Sequence, residues 1–209
     1  MAGTYRIIRE KCSGEEIAIK KSRFLSDAMP VHSQEEAAAF IEECRKKYYD
    51  AKHHCYAYSC GDDCSMIRCS DDGEPQGTAG RPILEVINGS EIHDIVIVVT
   101  RYFGGTLLGT GGLVRAYTEA AKAVITAADI VKITHGIKTR MKVGYTDFGK
   151  IRYELEKDQI CPIDITYESD VSFTVTMTCD MEKEMIGALT DITGGKLKVI
   201  NRTEGDYEF

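Results

Sequence analysis

Residues 94–100 of the chain read Asp94-Ile-Val-Ile-Val-Val-Thr100, an apolar run that predicts a buried β-strand. Residues 71–82 before it read Asp71-Asp-Gly-Glu-Pro-Gln-Gly-Thr-Ala-Gly-Arg-Pro82, and residues 101–115 after it read Arg101-Tyr-Phe-Gly-Gly-Thr-Leu-Leu-Gly-Thr-Gly-Gly-Leu-Val-Arg115. Glycine and proline make the segments on either side too irregular for the interior of a helix or strand. Two irregular loops that bracket one core strand are typical of a functional site carried by loops on a rigid scaffold.

The segments around this strand predict an α+β domain. Helices are predicted from Ser33 and from Gly111–Gly112, because apolar residues follow these positions at helical spacing, and from Pro82, which fits the first turn of a helix. The apolar face of the third helix carries Leu113, Tyr117, Ala120, Ala121 and Val124. Strands outnumber helices and mostly follow one another, which favours a sheet with its helices on one face. Residues 5–8 and 16–19 flank a turn-forming segment, so we expect these two strands to form a hairpin.

Residues from about 137 onward predict a second domain with the order β-α-β-β-α-β, which is the ferredoxin-like split βαβ unit. The predicted strands are residues 137–145, 161–168, 171–179 and 196–201, and the predicted helices end at Leu155 and Thr190. The segment 129–136 is the predicted linker. We therefore expect one domain in residues 1–133 and another in residues 134–209.

Composition and charge limit the possible partners. The apolar runs are too short to span a membrane, and the N-terminus lacks the apolar core of a signal peptide, so we expect a cytoplasmic protein with no membrane partner. With 26 basic and 33 acidic residues the net charge is −7, which argues against attraction to nucleic acid by the whole surface. Short basic clusters at residues 20–23, 45–47 and 196–198 are either solvated faces or local binding patches.

Eight cysteines raise the question of a metal site. The closest group is Cys55, Cys60, Cys64 and Cys69, with His53 and His54 beside it. The spacing of these cysteines departs from the paired knuckles of structural zinc sites, and two of them fall in predicted strands. We favour reduced, partly buried thiols over a zinc site, and we predict no metal and no cofactor.

Four motifs cover nearly all of the first domain. They are Asp71–Pro82, Val98–Tyr117, Lys21-Ser22-Arg23-Phe24 and His54–Ala57. Together these motifs resemble the YigZ/IMPACT family, and the order of elements in the second domain is similar to that of its bacterial members. The chain departs from the family pattern at Gln76, where serine is frequent, and by the presence of Cys60, Cys64 and Cys69, which further weakens a zinc site.

The resemblance implies a fold and a setting for both domains. It implies that the first domain has the fold of the second domain of small-subunit ribosomal protein five. It also implies that the second domain is similar to the last domain of elongation factor G. Eukaryotic members of the family regulate translation by binding the activator of a translation-control kinase, so the resemblance implies a link to translation.

The second glycine-rich segment suits an anion. It leads from a strand to the start of a helix, where backbone N–H groups lack intrahelical partners, and Arg101 and Arg115 could add charge for phosphate. Gly104 and Gly109 lack the Lys-Ser/Thr that a Walker loop requires, and no G-x-G-x-x-G follows the strand. Phosphate or nucleic-acid binding and close backbone packing both explain these glycines.

The acidic residues of the first segment allow three interpretations. Asp71, Asp72 and Glu74 could hold a metal or act in acid–base catalysis, could cap the turn and the following helix, or could pair with Arg81 or Arg101. We favour the structural roles over catalysis and predict no catalytic residue. His54 lies among alternating aromatic residues, which is more typical of a core or rim histidine than of a general base.

Two classes of function follow. We favour a non-enzymatic binding protein linked to translation or its regulation, which contacts RNA, the ribosome or a regulatory protein through these loops. The alternative is an enzyme that acts on a small phosphorylated or nucleotide ligand at the same loops. The candidate ligand-binding residues are Lys21, Ser22, Arg23, His54, Asp71, Asp72, Glu74, Gly77, Thr78, Arg101, Tyr102, Gly104, Gly105, Gly109, Gly111, Gly112 and Arg115.

Overall fold

The computed structural model describes residues 4–61 and 65–209, which divide into two compact units. One unit is Tyr5–Val131, and the other is residues 132–209 together with Thr4. The boundaries 1–133 and 134–209 remain our proposal for the domains. Within the described ranges, no helix has the length and apolar character needed to cross a membrane.

The first unit is built on one six-stranded antiparallel sheet with three helices, and its first strand lies outside this sheet. Its elements are β1 (Tyr5–Ile8), β2 (Cys12–Ser13), β3 (Ile17–Ile19), β4 (Ser22–Pro30), α1 (Gln34–Lys47), β5 (His53–Cys60), β6 (Met66–Ser70), α2 (Gly80–Ser90), β7 (Ile95–Tyr102) and α3 (Thr110–Ala127). Strand β7 lies at the centre of the sheet, antiparallel to β4 on one side and to β5 on the other, and β6 pairs with β5. The predicted core strand is therefore confirmed as the centre of the unit.

The prediction that all helices lie on one face of this sheet is wrong. Ile95, Ile97 and Val99 of β7 pack in the core formed with α2 and α3, whereas Val96 and Val98 pack in a second core with α1. Every residue of this run is apolar, so both faces of the strand have to be covered.

The predicted hairpin between residues 5–8 and 16–19 is also wrong. Strands β2 and β3 each pair with β4. Strands β3 and β4 are joined by the two residues Lys20 and Lys21, whose φ angles of 47° and 67° are those of a type I′ turn. This two-residue turn is tighter than the connection between β1 and β3, so β3 pairs with the strand that follows it, β4, and not with β1.

The second unit has the predicted order β-α-β-β-α-β. Its elements are β8 (Ile130–Val143), which begins two residues before the unit, α4 (Tyr145–Lys157), β9 (Ile163–Tyr167), β10 (Val171–Thr178), α5 (Cys179–Ile192) and β11 (Lys198–Glu208). In the sheet, β8 lies between β11 and β10, and β9 pairs with the other edge of β10, all antiparallel. The α+β fold class is confirmed.

The predicted linker at residues 129–136 is wrong, because β8 already begins at Ile130. Its first half, rich in β-branched residues, pairs with the second half of β11, from Ile133 opposite Glu208 to Gly136 opposite Gly205. Strand β11 is correspondingly longer than the predicted 196–201. Two strands that each look irregular alone are stabilised by pairing with one another.

Candidate glycine-rich loop site

The two glycine-rich loops lie at the same end of the strands in the first unit's sheet. In the antiparallel register, Arg23 of β4 lies opposite Tyr102 of β7, and His54 of β5 lies opposite Thr100. The starts of β4 and β5 therefore lie beside the end of β7. Residues 103–109 continue directly from that end, and residues 71–79 reach it through the contacts described next.

A buried ion pair joins the first loop to the end of β7. The Arg101 guanidinium donates to Glu74 Oε1 at 2.7 Å, and the side chains are only 6% and 4% exposed. Tyr117 of α3 donates its hydroxyl to the same oxygen at 2.8 Å. Burial raises the pKa of Tyr117, with Cys55 and Glu74 adding to the effect, so this hydroxyl stays protonated and available to Glu74.

Arg101 also contacts buried Ser22 and Phe24 and exposed Phe103. It donates to Ser22 Oγ at 3.4 Å, and its guanidinium lies 5.5 Å from the ring centroids of both Phe24 and Phe103. The positive charge of Arg101 is thus matched by Glu74, which corresponds to the ion-pair interpretation of the acidic loop.

Asp71 caps helix α2 from a distance. Its carboxylate accepts backbone N–H groups from Gly77 at 2.8 Å and from Ala79 and Gly80 at 2.9 Å. Residue Ala79 at the cap position has no side-chain acceptor of its own. Burial acts to raise the pKa of Asp71, but the three N–H donors outweigh it and the pKa is lowered.

Asp72 fixes the start of β5. Its backbone is in the left-handed region with a φ of 41°, and its carboxylate accepts the His54 N–H at 2.7 Å and an Arg45 N–H at 3.1 Å. The buried His54 ring lies with Nδ1 3.1 Å from Thr100 Oγ1. Burial lowers the pKa of His54, which favours a neutral ring in the core over an exposed cation.

The rest of the first loop folds on itself. Thr78 is buried and donates its hydroxyl to the Pro75 carbonyl at 2.6 Å. Gly77 has a φ of 74° and is exposed, with its N–H directed to Asp71. The polar groups that could have bound a ligand are therefore engaged within the protein.

The first residues of the second loop are packed against β4. A side chain at Gly104 would place its Cβ 2.0 Å from the Lys21 carbonyl carbon, so only glycine fits. The Gly104 N–H donates to Ser22 Oγ at 3.1 Å. Gly105, by contrast, is exposed with open space around its Cα.

Tyr102 and Arg23 form surface pairs at this edge. The Tyr102 hydroxyl donates to Asp50 at 2.7 Å, and burial together with this carboxylate raises the pKa of Tyr102 to about 12. Arg23 donates to both carboxylate oxygens of Glu16, at 2.8 and 2.7 Å, and its guanidinium lies 5.5 Å from the Tyr102 ring centroid. Both side chains are engaged, although Arg23 is exposed.

The start of α3 is different, because it is exposed and open. Gly109 occupies its cap position with a φ of 72°, no side chain caps the helix, and its first turn contains no acidic residue. The first N–H groups of a helix lack intrahelical acceptors and attract anions. A cleft of about 450 Å³ lies beside this turn, lined by Ile19, Lys20, Leu108, Gly111, Gly112, Arg115 and Glu119.

The structure thus places most of the predicted site residues in two groups. Ser22, His54, Asp71, Asp72, Glu74, Thr78 and Arg101 make the internal bonds described above. Gly111, Gly112 and Arg115 line the cleft, and Gly109 immediately precedes the helix beside it. Exposed Lys21 lies in the type I′ turn next to Lys20.

Two participants were not among the predicted site residues. Lys20 lines the cleft with Arg115, and the only signal in the sequence was its membership of the basic cluster at residues 20–23. Tyr117 was predicted only as a core residue of α3, and its position gives no sign that its hydroxyl reaches Glu74.

The cysteine group cannot form one metal site. Cys55 and Cys60 are both buried in β5, but Cys55 packs in the core with α2 and α3 and Cys60 in the opposite core with α1. Cys55 donates its thiol to the Asp71 carbonyl at 3.0 Å, and Cys69 is exposed. Cys64 lies outside the described residues.

The structure defines a class of protein with two α+β units. In the first unit, one glycine-rich loop is held by internal hydrogen bonds and an ion pair, and the other leads to the exposed start of a helix. Residues 20–125 match the family model of the Impact N-terminal domain, and residues 141–196 match a domain of unknown function, DUF1949. The chain belongs to the IMPACT family, as the sequence motifs predicted.

Relatives match along most of the chain. The IMPACT family member YvyE of Bacillus subtilis is 36% identical over 197 residues, which cover 94% of this chain and 90% of that protein. The IMPACT family member YigZ of Escherichia coli is 35% identical over 184 residues, covering 87% and 90%. A crystal structure of a hypothetical protein is similar with a TM-score of 0.62 and 33% identity, covering 96% of this chain and 97% of the other.

Proposed function

We propose that this protein is a non-enzymatic binding protein linked to translation or its regulation, which contacts the phosphate groups of RNA or of the ribosome at the cleft beside α3. The link to translation is the one implied by the family resemblance. The contact with phosphate is argued from the cleft itself.

The observation that carries the proposal is the combination found in this cleft. The uncapped start of α3 supplies backbone N–H groups, and Gly111 and Gly112 leave them accessible. Lys20 and Arg115 line the same cleft and supply two positive charges, with Glu119 as the one acidic residue of the lining. Phosphate binding at helix starts uses this pairing of N–H groups with nearby cations.

The turn that carries Lys20 strengthens the argument. Type I′ turns strongly prefer Asn-Gly, because both central residues need a positive φ. Here both positions are lysines, at φ angles of 47° and 67°. Such a conformation costs of the order of 1–2 kcal/mol per residue and concentrates at functional sites. The turn thereby presents Lys20 in the cleft at the start of α3, in a chain whose net charge is −7.

The test is binding to purified bacterial ribosomes and to a labelled single-stranded RNA over a series of salt concentrations. The full chain should bind at low salt, and affinity should fall as salt rises because counterions are released. Replacing Arg115 by Ala should weaken binding to all RNA sequences alike and reduce the slope against log salt by about one.

Arg81→Ala is the matched control. Arg81 is an exposed arginine of α2 whose charge pairs with Glu85 at the surface, so its loss should leave binding unchanged. Absence of binding to both ribosomes and RNA at low salt would contradict the proposal. If Arg115→Ala binds with an unchanged salt slope, the cleft is not the binding site. Binding to ribosomes but not to free RNA would indicate that the protein contacts a ribosomal protein.

An enzyme acting on a small phosphorylated or nucleotide ligand is the second candidate. The volume of the cleft, about 450 Å³, lies within the range of small-molecule sites. The carboxylates of Asp71, Asp72 and Glu74 are engaged in internal bonds, which favours the binding protein over catalysis by those groups. A rise in Tm with a nucleotide or phosphorylated metabolite, lost in Arg115→Ala, would favour the enzyme.

A further inference from the structure

The second unit brings together a histidine, a cysteine and a glutamate from three elements. His135 of β8 lies directly opposite Asp206 of β11, and Glu204 lies two residues further along β11 on the same face. The last residue of β10, Thr178, lies opposite Gly136, so the first residue of α5, Cys179, falls beside His135. None of these residues contributes to the cleft at α3.

The donor atoms of this group are within reach of one ion. One ligand atom each from His135, Cys179 and Glu204 lies within 4.8 Å of the other two. The distance from His135 Nε2 to Glu204 Oε1 is 3.1 Å. A tetrahedral zinc centre holds its donor atoms roughly 3.3–3.8 Å apart, given its usual bond lengths. The remaining adjustment falls on Cys179 and Glu204, whose side chains are exposed and can rotate.

The hydrogen bonds of His135 indicate which of its nitrogens would bind the ion. Both ring nitrogens face carboxylate oxygens, because Nδ1 lies 2.9 Å from Asp206 Oδ1. The hydrogen bonds to Asp206 and Glu204 raise the pKa of His135, and an imidazolium ring donates an N–H to each of them. An ion that replaces the proton on Nε2 leaves the Nδ1–H bond to Asp206 in place. A ligating histidine that donates its other N–H to a carboxylate is the usual arrangement around zinc.

We propose that His135, Cys179 and Glu204 bind a divalent transition-metal ion of the zinc class, with Asp206 orienting the histidine through Nδ1. Mixed nitrogen, sulfur and oxygen donors suit Zn²⁺ better than Mg²⁺ or Ca²⁺, which prefer oxygen alone. On binding, the Cys179 thiol and His135 Nε2 each release a proton to solvent, and the thiolate and the Glu204 carboxylate together balance the charge of the ion. A water molecule completes the fourth position, and the ion ties β8, β11 and α5 together.

Neighbouring charges leave this set available. Arg202, a cation close enough to interact with Glu204 and Cys179, donates to the Glu182 carboxylate of α5 at 2.7 Å, so its charge is matched there. The two other acids that face the histidine are the proposed ligand Glu204 and the orienting Asp206. The binding of an ion here is independent of RNA binding by the first unit.

The test uses the full chain, reduced, stripped of metal with a chelator and titrated with Zn²⁺ and with Co²⁺. We expect one equivalent of bound ion, a rise in Tm with Zn²⁺, and a thiolate-to-cobalt charge-transfer absorption with Co²⁺. Cys179→Ser should abolish the charge-transfer absorption, and His135→Gln should abolish stoichiometric binding. Asp206→Ala should weaken affinity by about 10–100-fold while retaining the absorption at high Co²⁺.

Cys161→Ser is the matched control, because Cys161 is another exposed cysteine of the same unit that lies outside the group. This variant should bind the ion like the original chain. A charge-transfer absorption that persists in Cys179→Ser, or its absence from the original chain, would overturn the proposal. Circular dichroism of each variant without metal separates a lost ligand from a lost fold.

Discussion

The loop at residues 71–79 and the segment at residues 103–112 are both glycine-rich, yet they satisfy their polar groups in opposite ways. In the first loop, Asp71 accepts three backbone N–H groups and Glu74 forms a buried ion pair with Arg101. The second segment leads into the start of α3, which no side chain caps and which lies at an exposed cleft. Two segments of similar composition therefore differ in role: the first is held by internal bonds, and the second forms an open surface.

The comparison teaches where ligand binding can be sought in this unit. A carboxylate or guanidinium that already has internal partners stabilises the fold, and recruiting it for a ligand would leave its partner unpaired. N–H groups without internal acceptors can gain a partner at no such cost. The difference predicts that substitutions in the first loop change stability and that substitutions around α3 change binding.

The largest effect is expected from Arg101→Ala. Among the described residues, its removal leaves the buried Glu74 carboxylate with the Tyr117 hydroxyl as its side-chain donor, so the free energy of unfolding should fall by about 3–5 kcal/mol. Urea unfolding followed by circular dichroism measures this change. Arg115→Ala, which removes an exposed arginine from the cleft, should change the free energy of unfolding by less than about 0.5 kcal/mol.

The opposite outcome would break the comparison. If Arg101→Ala unfolds like the original chain but loses affinity for RNA, then Arg101 contacts the ligand and the first loop belongs to the binding surface. A double variant, Arg101→Met with Glu74→Gln, sharpens the test. Removing both charges should recover much of the lost stability, because no uncompensated buried charge remains.

Smaller effects, of opposite sign, on the free energy of unfolding are expected from two glycine-to-alanine substitutions. Gly104→Ala would bring a Cβ within 2.3 Å of the Ser22 backbone nitrogen, so it should reduce the free energy of unfolding by about 1–3 kcal/mol. Gly111→Ala meets no atom within 4 Å and lies in a helix, so it should increase that free energy by about 0.4–1 kcal/mol.

The two variants also differ in the expected effect on RNA. The Cβ of Gly111→Ala stands beside the first N–H groups of α3 and should weaken phosphate binding in the more stable protein. Thermal unfolding and RNA titration of the same preparations measure both properties. Equal destabilisation by the two substitutions would mean that both glycines serve packing alone.

Features encoded locally were predictable from the sequence. The buried strand β7 follows from a continuous apolar run, and the buried face of α3, including Leu113, Tyr117 and Val124, follows from helical periodicity. The same holds for α1, where Ser33 Oγ accepts the Glu36 N–H at the predicted start. Each of these signals lies within a few residues of the structure that it determines.

Features that depend on distant pairing were missed. The first half of β8 looked like a linker because its partner in β11 lies about seventy residues away, as in the pair of His135 with Asp206. The ion pair of Glu74 with Arg101 was one of the interpretations that the sequence left open, because only the tertiary contact distinguishes them. The position of Lys20 beside Arg115 also depends on tertiary contacts and was not predicted. The sequence therefore contains the residues of the Glu74–Arg101 ion pair and of the proposed metal site, but it does not show that they lie close together.

The smallest effect in the first loop is expected from Asp71→Asn. The amide keeps one acceptor oxygen but turns an N–H group toward a backbone donor, and it removes the negative charge from the start of α2. Loss of such a cap reduces the free energy of unfolding by about 1–2 kcal/mol at neutral pH. Glu85→Gln, an exposed carboxylate of the same helix, is the control and should have almost no effect.

The pH dependence of Asp71→Asn separates a capping carboxylate from one that only fills space. Because the N–H groups lower the folded-state pKa of Asp71 below the unfolded value of about 3.9, the charge stabilises the fold above that value. The stabilisation is lost as pH falls through the folded-state pKa. The difference in unfolding free energy between the original chain and the variant should therefore be constant from pH 7 to about pH 5 and shrink below about pH 4. A difference that stays constant throughout would mean that the carboxylate charge does not cap α2, and the first loop would then be held by Glu74 and Arg101 alone.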